Sequence, residues 1–171
     1  MPNWCEGTIK IRGKTENIVK WLKEGLNKYE FDYETNELKP IDKDIWQYIH
    51  EEDGIISIEL DLDSRGQDVA IEETTRAFIT SDQVWNLGTN ESLNPIIYLN
   101  FRQAWGIRPI EFVKLAKKYK LDFNLYGIER GAGRIDAYEI FNNGEAVVDN
   151  SKIFAFYSDF FWECPFPWMG G

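Results

Sequence analysis

The clearest alternation of hydrophobic and polar positions lies between residues 96 and 129. β-Branched and aromatic residues concentrated at 96–101 predict a strand. Pro109 then stands where the first residue of a helix is expected. One apolar helical face follows, consisting of Phe112, Leu115, Ala116 and Tyr119. The opposite, charged face consists of Glu111, Lys114 and Lys118. Alternation at 121–125 predicts a second strand, so the pattern indicates a strand–helix–strand crossover joining two parallel strands of one sheet.

The beginning of the chain repeats the first part of this order. Residues 8–11 alternate as in a strand, which ends at Gly13. Thr15 is then predicted to cap the N-terminus of a helix with its hydroxyl. The apolar face of that helix is expected to consist of Ile18, Trp21, Leu22, Leu26 and Tyr29.

Residues 30–54 form a less regular segment. Its first part, 30–40, is acidic and polar and predicts a loop. A shared helical face in its second part consists of Ile41, Ile45, Tyr48 and Ile49. We therefore expect a short helix over 41–52, which Gly54 ends.

Strict alternation at 56–62 predicts a half-buried strand. Residues 69–80 are the expected hairpin partner of this strand. A polar loop is predicted at 81–94, before the central unit begins.

After the central unit, Asn142-Asn143-Gly144 predicts a tight hairpin turn, since these residue types tolerate positive φ. The last 21 residues contain eight aromatic side chains. This tail, 151–171, has two interpretations: it packs over the sheet, or it exposes a patch for a partner. The patch residues would be Trp162, Phe166 and Trp168.

The composition bounds the class of protein. A chain of 171 residues with 43% hydrophobic residues is expected to form one domain over 1–171. No run of 18 apolar residues and no signal-like N-terminus occur, so a cytoplasmic location is expected. Cys5 and Cys164 lack metal-ligand or CxxC spacing and are expected to be free thiols.

The charge is concentrated in one window of the chain. Residues 30–63 contain 12 of the 29 acidic residues and 2 of the 19 basic ones, so this window carries the whole net charge of −10. Such a surface disfavours phosphate binding and favours a basic partner, or mimicry of a nucleic acid by carboxylates. Glu51, Glu52 and Asp53 are the predicted partner-binding residues.

Several patterns invite a catalytic or metal-binding interpretation. Asp61, Asp63, Gly66 and Glu72 match four positions of an EF-hand loop, but Arg65 stands where an oxygen ligand is needed. A hairpin turn with solvated acids is therefore preferred there.

Three further patterns also have a simpler interpretation. Glu59, Asp61 and Asp63 form a potential hydrolase cluster, but their alternation with apolar residues predicts an exposed acidic stripe. His50, the single histidine, has no recognisable nucleophile partner. Residues 131–133, Gly-Ala-Gly, lack the spacing of a dinucleotide fingerprint. No catalytic residue, metal site or cofactor is predicted.

Three short motifs contain tryptophan. The chain opens Met1-Pro2-Asn3-Trp4-Cys5-Glu6-Gly7, residues 84–90 read VWNLGTN, and Ala104-Trp105 precedes Pro109 by a short gap. These motifs resemble those of the YubB-type family of plasmid, phage and other mobile-element proteins. That family commonly has Asn at the position of Gly7, an Asn-Trp-Gly-Thr-like central element and an Ala-Trp-x-Pro-Pro helix start. The resemblance implies a ferredoxin-like βαββαβ core, no assigned activity, and a shared site near Trp4, Trp85 and Trp105.

The order of elements and this resemblance together lead to one predicted fold. It is an α+β, ferredoxin-like sandwich with two helices on one face of a mainly antiparallel sheet. An acidic insertion over 30–54 and an extra C-terminal hairpin are added to it.

The predicted function is that of a mobile-element accessory protein, a non-catalytic protein-binding module that meets a basic or DNA-binding partner without direct nucleic-acid or membrane contact. One alternative is a carboxylate- or divalent-metal-dependent hydrolase. A second is a nucleic-acid binder that uses the open sheet face.

Overall fold

The structure is a computed structural model that describes residues 3–62, 68–89, 94–144 and 146–165. Its strands are β1 (Trp4–Arg12), β2 (Leu26–Asp32), β3 (Glu37–Pro40), β4 (Gln47–Glu52), β5 (Ile55–Leu60), β6 (Val69–Ile71), β7 (Ala77–Ile79), β8 (Gln83–Gly88), β9 (Ile96–Ala104), β10 (Asp122–Glu129), β11 (Arg134–Ile140), β12 (Val147–Asp149) and β13 (Lys152–Ile153). Its helices are α1 (Thr15–Gly25), α2 (Pro109–Tyr119) and α3 (Tyr157–Glu163).

A large antiparallel sheet forms the centre of the molecule. Its strand order is β12-β11-β10-β1-β9-β7-β6-β2-β3, and β13 also pairs with β11. Strand β1 lies between β9 and β10 and runs antiparallel to both, so β9 and β10 are parallel to each other. Helix α2 connects them, which confirms the predicted crossover.

The predicted ferredoxin-like fold is wrong. The part of the chain that the structure describes contains thirteen strands, a separate three-stranded sheet in the order β4-β5-β8, and a third helix. Three strands, β9, β7 and β6, separate β1 from β2, whereas one strand separates β9 from β10. The two strand–helix units therefore do not form a compact two-helix sandwich.

The predicted helix over 41–52 and loop over 30–40 are also wrong. Residues 30–40 lie mostly in the β2–β3 hairpin, and segment 41–52 contains strand β4. Glu52 pairs with Ile55, which leaves Asp53-Gly54 as a two-residue turn with φ values of 51° and 74°. Asp-Gly with two positive φ angles is typical of a type I′ hairpin, and this signal outweighs the helical spacing of the isoleucines.

The predicted hairpin partner of β5, residues 69–80, and the predicted loop over 81–94 are both wrong. The partners of β5 are β4 and β8, whereas β6 and β7 join the large sheet. Residues 83–88, predicted as part of a polar loop, form strand β8. The predicted hairpin after β11 is confirmed, with Gly144 at φ 64°.

Helices α1 and α2 lie on one face of the large sheet and α3 lies on the other. The predicted apolar face of α2 is buried, and α1 shares the same core cluster through Ile18, Trp21 and Leu22. Helix α1 ends at Gly25, so Leu26 and Tyr29 belong to β2. A second cluster joins Phe160 of α3 to Ile128 and Ile135.

Two details of the predicted helices need correction. Thr15 is the first residue of α1 and makes no capping bond to that helix; its hydroxyl donates to the Gly88 carbonyl at 2.7 Å. Glu111, predicted on the charged face of α2, is buried. Its carboxylate accepts hydrogen bonds from Thr75 and Gln103, which satisfy the buried charge.

Candidate functional site

The three-stranded sheet has one buried and one exposed face. Ile58 and Leu60 of β5 and Trp85 and Leu87 of β8 point into the core that also contains α1. Residues directly opposite each other across strands share a face, and the register therefore defines the exposed one. The exposed face consists of Tyr48, His50, Glu52, Ile55, Ser57, Glu59, Val84 and Asn86.

This surface, which we name the acidic face, combines apolar and acidic side chains. Val84 is 67% exposed, Tyr48 48% and Ile55 47%. Glu52 and Glu59 lie among them, and the predicted partner-binding residues Glu51 and Asp53 are exposed at the adjoining hairpin end. Strands β4, β5 and β8 contain no Lys or Arg. The acidic face therefore presents its carboxylates on strands that contain no Lys or Arg.

A second group of acidic residues lies on the β2–β3 hairpin. Glu34 and Glu37 are exposed there, whereas Asp32 forms an ion pair with Lys39. The pKa of Asp32 is lowered, first by its bond to Lys39 and then by backbone N–H groups of the following turn. Strand β3 is the edge of the large sheet, and charge at an edge discourages unwanted strand pairing. The edge position is therefore a structural reason for exposed charge on this hairpin.

The structure brings together two of the three tryptophans of the resemblance. The guanidinium of Arg76 lies 5.5 Å from the Trp4 ring centroid and 5.4 Å from that of Trp105. The guanidinium of Arg102 also contacts Trp4 and lies 4.5 Å from the ring centroid. Trp85 is not part of this group, because it is buried in the small sheet opposite Ile58.

A buried polar network supports the turn that carries Trp105. The Asp136 carboxylate accepts the Ile107 N–H at 2.8 Å and lies 3.1 Å from Arg134 Nε. Arg134 also donates to the Trp105 carbonyl and pairs with Glu129 at 2.7 Å. Burial raises the pKa of Asp136, although these donors oppose the shift. The network fixes the backbone after β9 from the core side.

The two cysteines are free thiols, as predicted. Cys5 is buried beside Asp136, with 3.7 Å between Sγ and Oδ2. Burial, with the neighbouring carboxylate second, raises the pKa of the Cys5 thiol far above its usual range. Such a thiol has no nucleophilic character at neutral pH.

The C-terminal aromatic residues are only partly described. Trp162 of α3 is 90% exposed, while Phe160 of the same helix is buried. The tail thus both packs on the sheet and presents an exposed ring. Phe166 and Trp168 lie outside the described residues, so the three-residue patch stays a prediction.

The patterns considered for catalysis do not converge in the described part of the chain. Glu59 lies on the acidic face, and His50, in a strand rather than a helix, is exposed with Nε2 3.7 Å from Glu52. The EF-hand-like residues Asp63, Arg65 and Gly66 lie outside the described ranges. Within those ranges, no three His, Cys, Asp or Glu residues are grouped so that they could hold a metal ion.

Two arginines on the exposed face of the large sheet form ion pairs with carboxylates. Arg12 pairs with Asp122, with 2.7 Å between the charged atoms, and Arg102 pairs with Asp68. Tyr98 of β9 is exposed between them. Paired cations are poor phosphate ligands, which weakens the nucleic-acid alternative.

The sequence patterns did not identify Tyr48, Val84 or Arg76 as candidate binding residues. Alternation at 83–88 was the signal that identifies Val84 as an outward-facing strand residue. No pattern along the chain identifies Arg76, because its tryptophan neighbours are remote in sequence.

Comparisons with protein-family models, with curated proteins and with solved structures found no match for this chain. Of the helices within the described ranges, none has the length and apolar character needed to cross a membrane.

Proposed function

We propose that this protein is a non-catalytic protein-binding module that binds a basic partner through the acidic face. The observation that carries the proposal is the arrangement of Tyr48, Ile55 and Val84 as exposed side chains among Glu52 and Glu59, on strands without Lys or Arg. Protein interfaces commonly combine aromatic and aliphatic anchors with a charged rim. The anchors would supply contact area and the carboxylates would select a cationic partner.

A DNA-binding protein is the partner class that this charge favours, since carboxylates then take the place of phosphates. The resemblance of the tryptophan motifs to mobile-element proteins supports a partner from such an element or its host. The hydrolase alternative receives less support, because Glu59 is exposed and no three acids, histidines or cysteines are grouped to hold a metal ion within the described residues.

Site-specific photo-crosslinking in the source cells tests this proposal. A photoreactive phenylalanine derivative at Val84 would report on the acidic face, and the same group at Ile153, which is also exposed, serves as the matched control. We expect a basic protein to be crosslinked from position 84 and not from position 153. Equal labelling from both positions, or no basic protein from position 84, would contradict the proposal.

A further inference from the structure

We infer that Arg76, together with Trp4 and Trp105, forms a binding site for a single carboxylate of a peptide ligand. The site is separate from the acidic face and has the opposite charge. Its defining feature is an exposed arginine whose guanidinium carbon lies 5.5 Å and 5.4 Å from two indole ring centroids. Among the residues that the structure describes, no carboxylate pairs with Arg76.

The chemistry of the site favours a planar anion. A guanidinium that stacks on aromatic rings keeps its N–H edge available, and that edge matches a carboxylate with two parallel hydrogen bonds. Trp105 is 51% exposed, so its ring provides an apolar wall beside the bound group. A peptide that has an apolar side chain next to its carboxylate would use both features.

The local charge selects a monoanion over a polyanion. The neighbouring cations are already paired: Arg102 with Asp68, Arg108 with Glu111, and Lys118 with Glu73. Arg76 therefore contributes about one unit of uncompensated positive charge. A nucleic-acid strand would require several phosphate contacts for useful affinity at physiological salt.

The backbone around the site is held in uncommon conformations. Glu73, Arg76 and Trp105 all have positive φ, at 60°, 52° and 61°. Such positions outside glycine cost of order 1 kcal/mol each and are maintained only when surrounding contacts enforce them.

Hydrogen bonds from neighbouring side chains and backbone supply those contacts. Glu111 accepts the Thr75 N–H at 3.0 Å, which fixes the residue before Arg76. The Asn3 carbonyl accepts the Trp105 N–H at 2.8 Å, and Arg134 holds the Trp105 carbonyl. Both turns are thus fixed before any ligand arrives, as expected of a preorganised binding site.

NMR titration with short capped peptides tests the inference. Each peptide contains one phenylalanine, and the set places a carboxylate on a glutamate side chain, at the C-terminus, or nowhere. The signals observed are the Arg76 Nε–H and the indole N–H groups of Trp4 and Trp105, assigned with Trp→Phe variants. We expect saturable shifts with at least one carboxylate peptide, with a dissociation constant on the order of 1 mM, and none with the neutral peptide.

Two variants distinguish recognition by the planar guanidinium of Arg76 from simple charge attraction. Arg76→Lys keeps the charge but loses the planar fork, and we expect affinity to fall about tenfold or more. Arg12→Gln, which removes an arginine remote from the site, serves as the control and should bind like the wild type. The dispersed amide spectrum of each variant verifies its fold.

Four results would overturn the inference. They are the absence of shifts with both carboxylate peptides, equal shifts with the neutral peptide, undiminished binding by Arg76→Lys, and tighter binding of inorganic phosphate or oligothymidylate at these signals. Glu51→Gln combined with Glu52→Gln and Asp53→Asn should leave the titration unchanged, so its outcome is independent of the acidic face.

Discussion

At the scale of single residues, Gly7 shows how closely the central strands approach each other. A Cβ at this position would lie 1.9 Å from the Tyr126 carbonyl oxygen and 2.7 Å from the Gly127 Cα. Both contacts are with backbone of β10, which cannot move aside as a flexible side chain would. Only glycine therefore fits at this point of β1, where the resembling family commonly has Asn.

Gly7→Ala tests this close approach. We expect the free energy of unfolding to fall by about 2 kcal/mol or more, because the methyl group forces β1 and β10 apart. Urea denaturation measures the change. Gly88→Ala is the matched control, since no atom lies within 4 Å of its added Cβ, and it should change the free energy by no more than about 0.5 kcal/mol. Equal effects of the two substitutions would show that the close approach does not constrain the fold.

At the scale of elements, two side chains attach the three-stranded sheet to α1. They come from Lys43, which precedes β4, and from Gln47, the first residue of β4. Gln47 Nε2 donates to the Leu22 carbonyl at 2.8 Å, and Lys43 Nζ donates to the Lys23 carbonyl. The last carbonyls of a helix lack intrahelical partners, so these bonds satisfy groups that the helix end leaves open. The small sheet is therefore fixed by α1 as well as by its apolar core residues.

Gln47→Leu is expected to weaken this attachment. The substitution keeps the volume but removes the buried donor, which costs about 1 kcal/mol of unfolding free energy. Hydrogen exchange should accelerate in β4 and β5 more than in β1 and β9. Gln83→Leu provides the comparison, because within the described residues its amide nitrogen bonds to nearby Ser81. Unchanged exchange in β4 would show that the core residues alone hold the sheet.

The same elements show how much of the fold could be predicted. Pro109 and the apolar positions of α2 have a local cause, and the helix between β9 and β10 was predicted correctly. Segment 41–52 was not, because isoleucines at helical spacing compete with the Asp53-Gly54 turn, and pairing with β5 decides the outcome. Strand order in the large sheet depends on contacts between remote segments, which no local pattern specifies.

The candidate site was predicted in part for a comparable reason. The concentration of acidic residues around Glu51–Asp53 is a property of composition, and their exposure in the structure agrees with that expectation. The neighbouring Val84 enters the acidic face only through the pairing of β5 with β8. The placement of Arg76 beside Trp4 likewise depends on the tertiary fold.

At the scale of the whole molecule, the net charge of −10 is unevenly distributed in space. The acidic face with its hairpin end and the β2–β3 hairpin together carry eight of the twelve acids of window 30–63. The large sheet pairs several of its cations with carboxylates. Attraction between exposed charges weakens with salt, because the screening length is about 8 Å at physiological ionic strength. Binding through the acidic face should therefore become weaker as salt is added.

Quantitative capture from a lysate of the source cells tests the central claim most directly. The wild type is compared with Glu51→Gln/Glu52→Gln/Asp53→Asn, and with Glu34→Gln/Glu37→Gln/Asp159→Asn, which removes the same charge from exposed positions elsewhere. We predict that the wild type and the control retain the same basic protein at low salt. Neutralising Glu52 of the acidic face together with Glu51 and Asp53 at its hairpin end should lower the retention about tenfold. Retention of no basic protein by the wild type, or equal retention by all three proteins, would contradict the account.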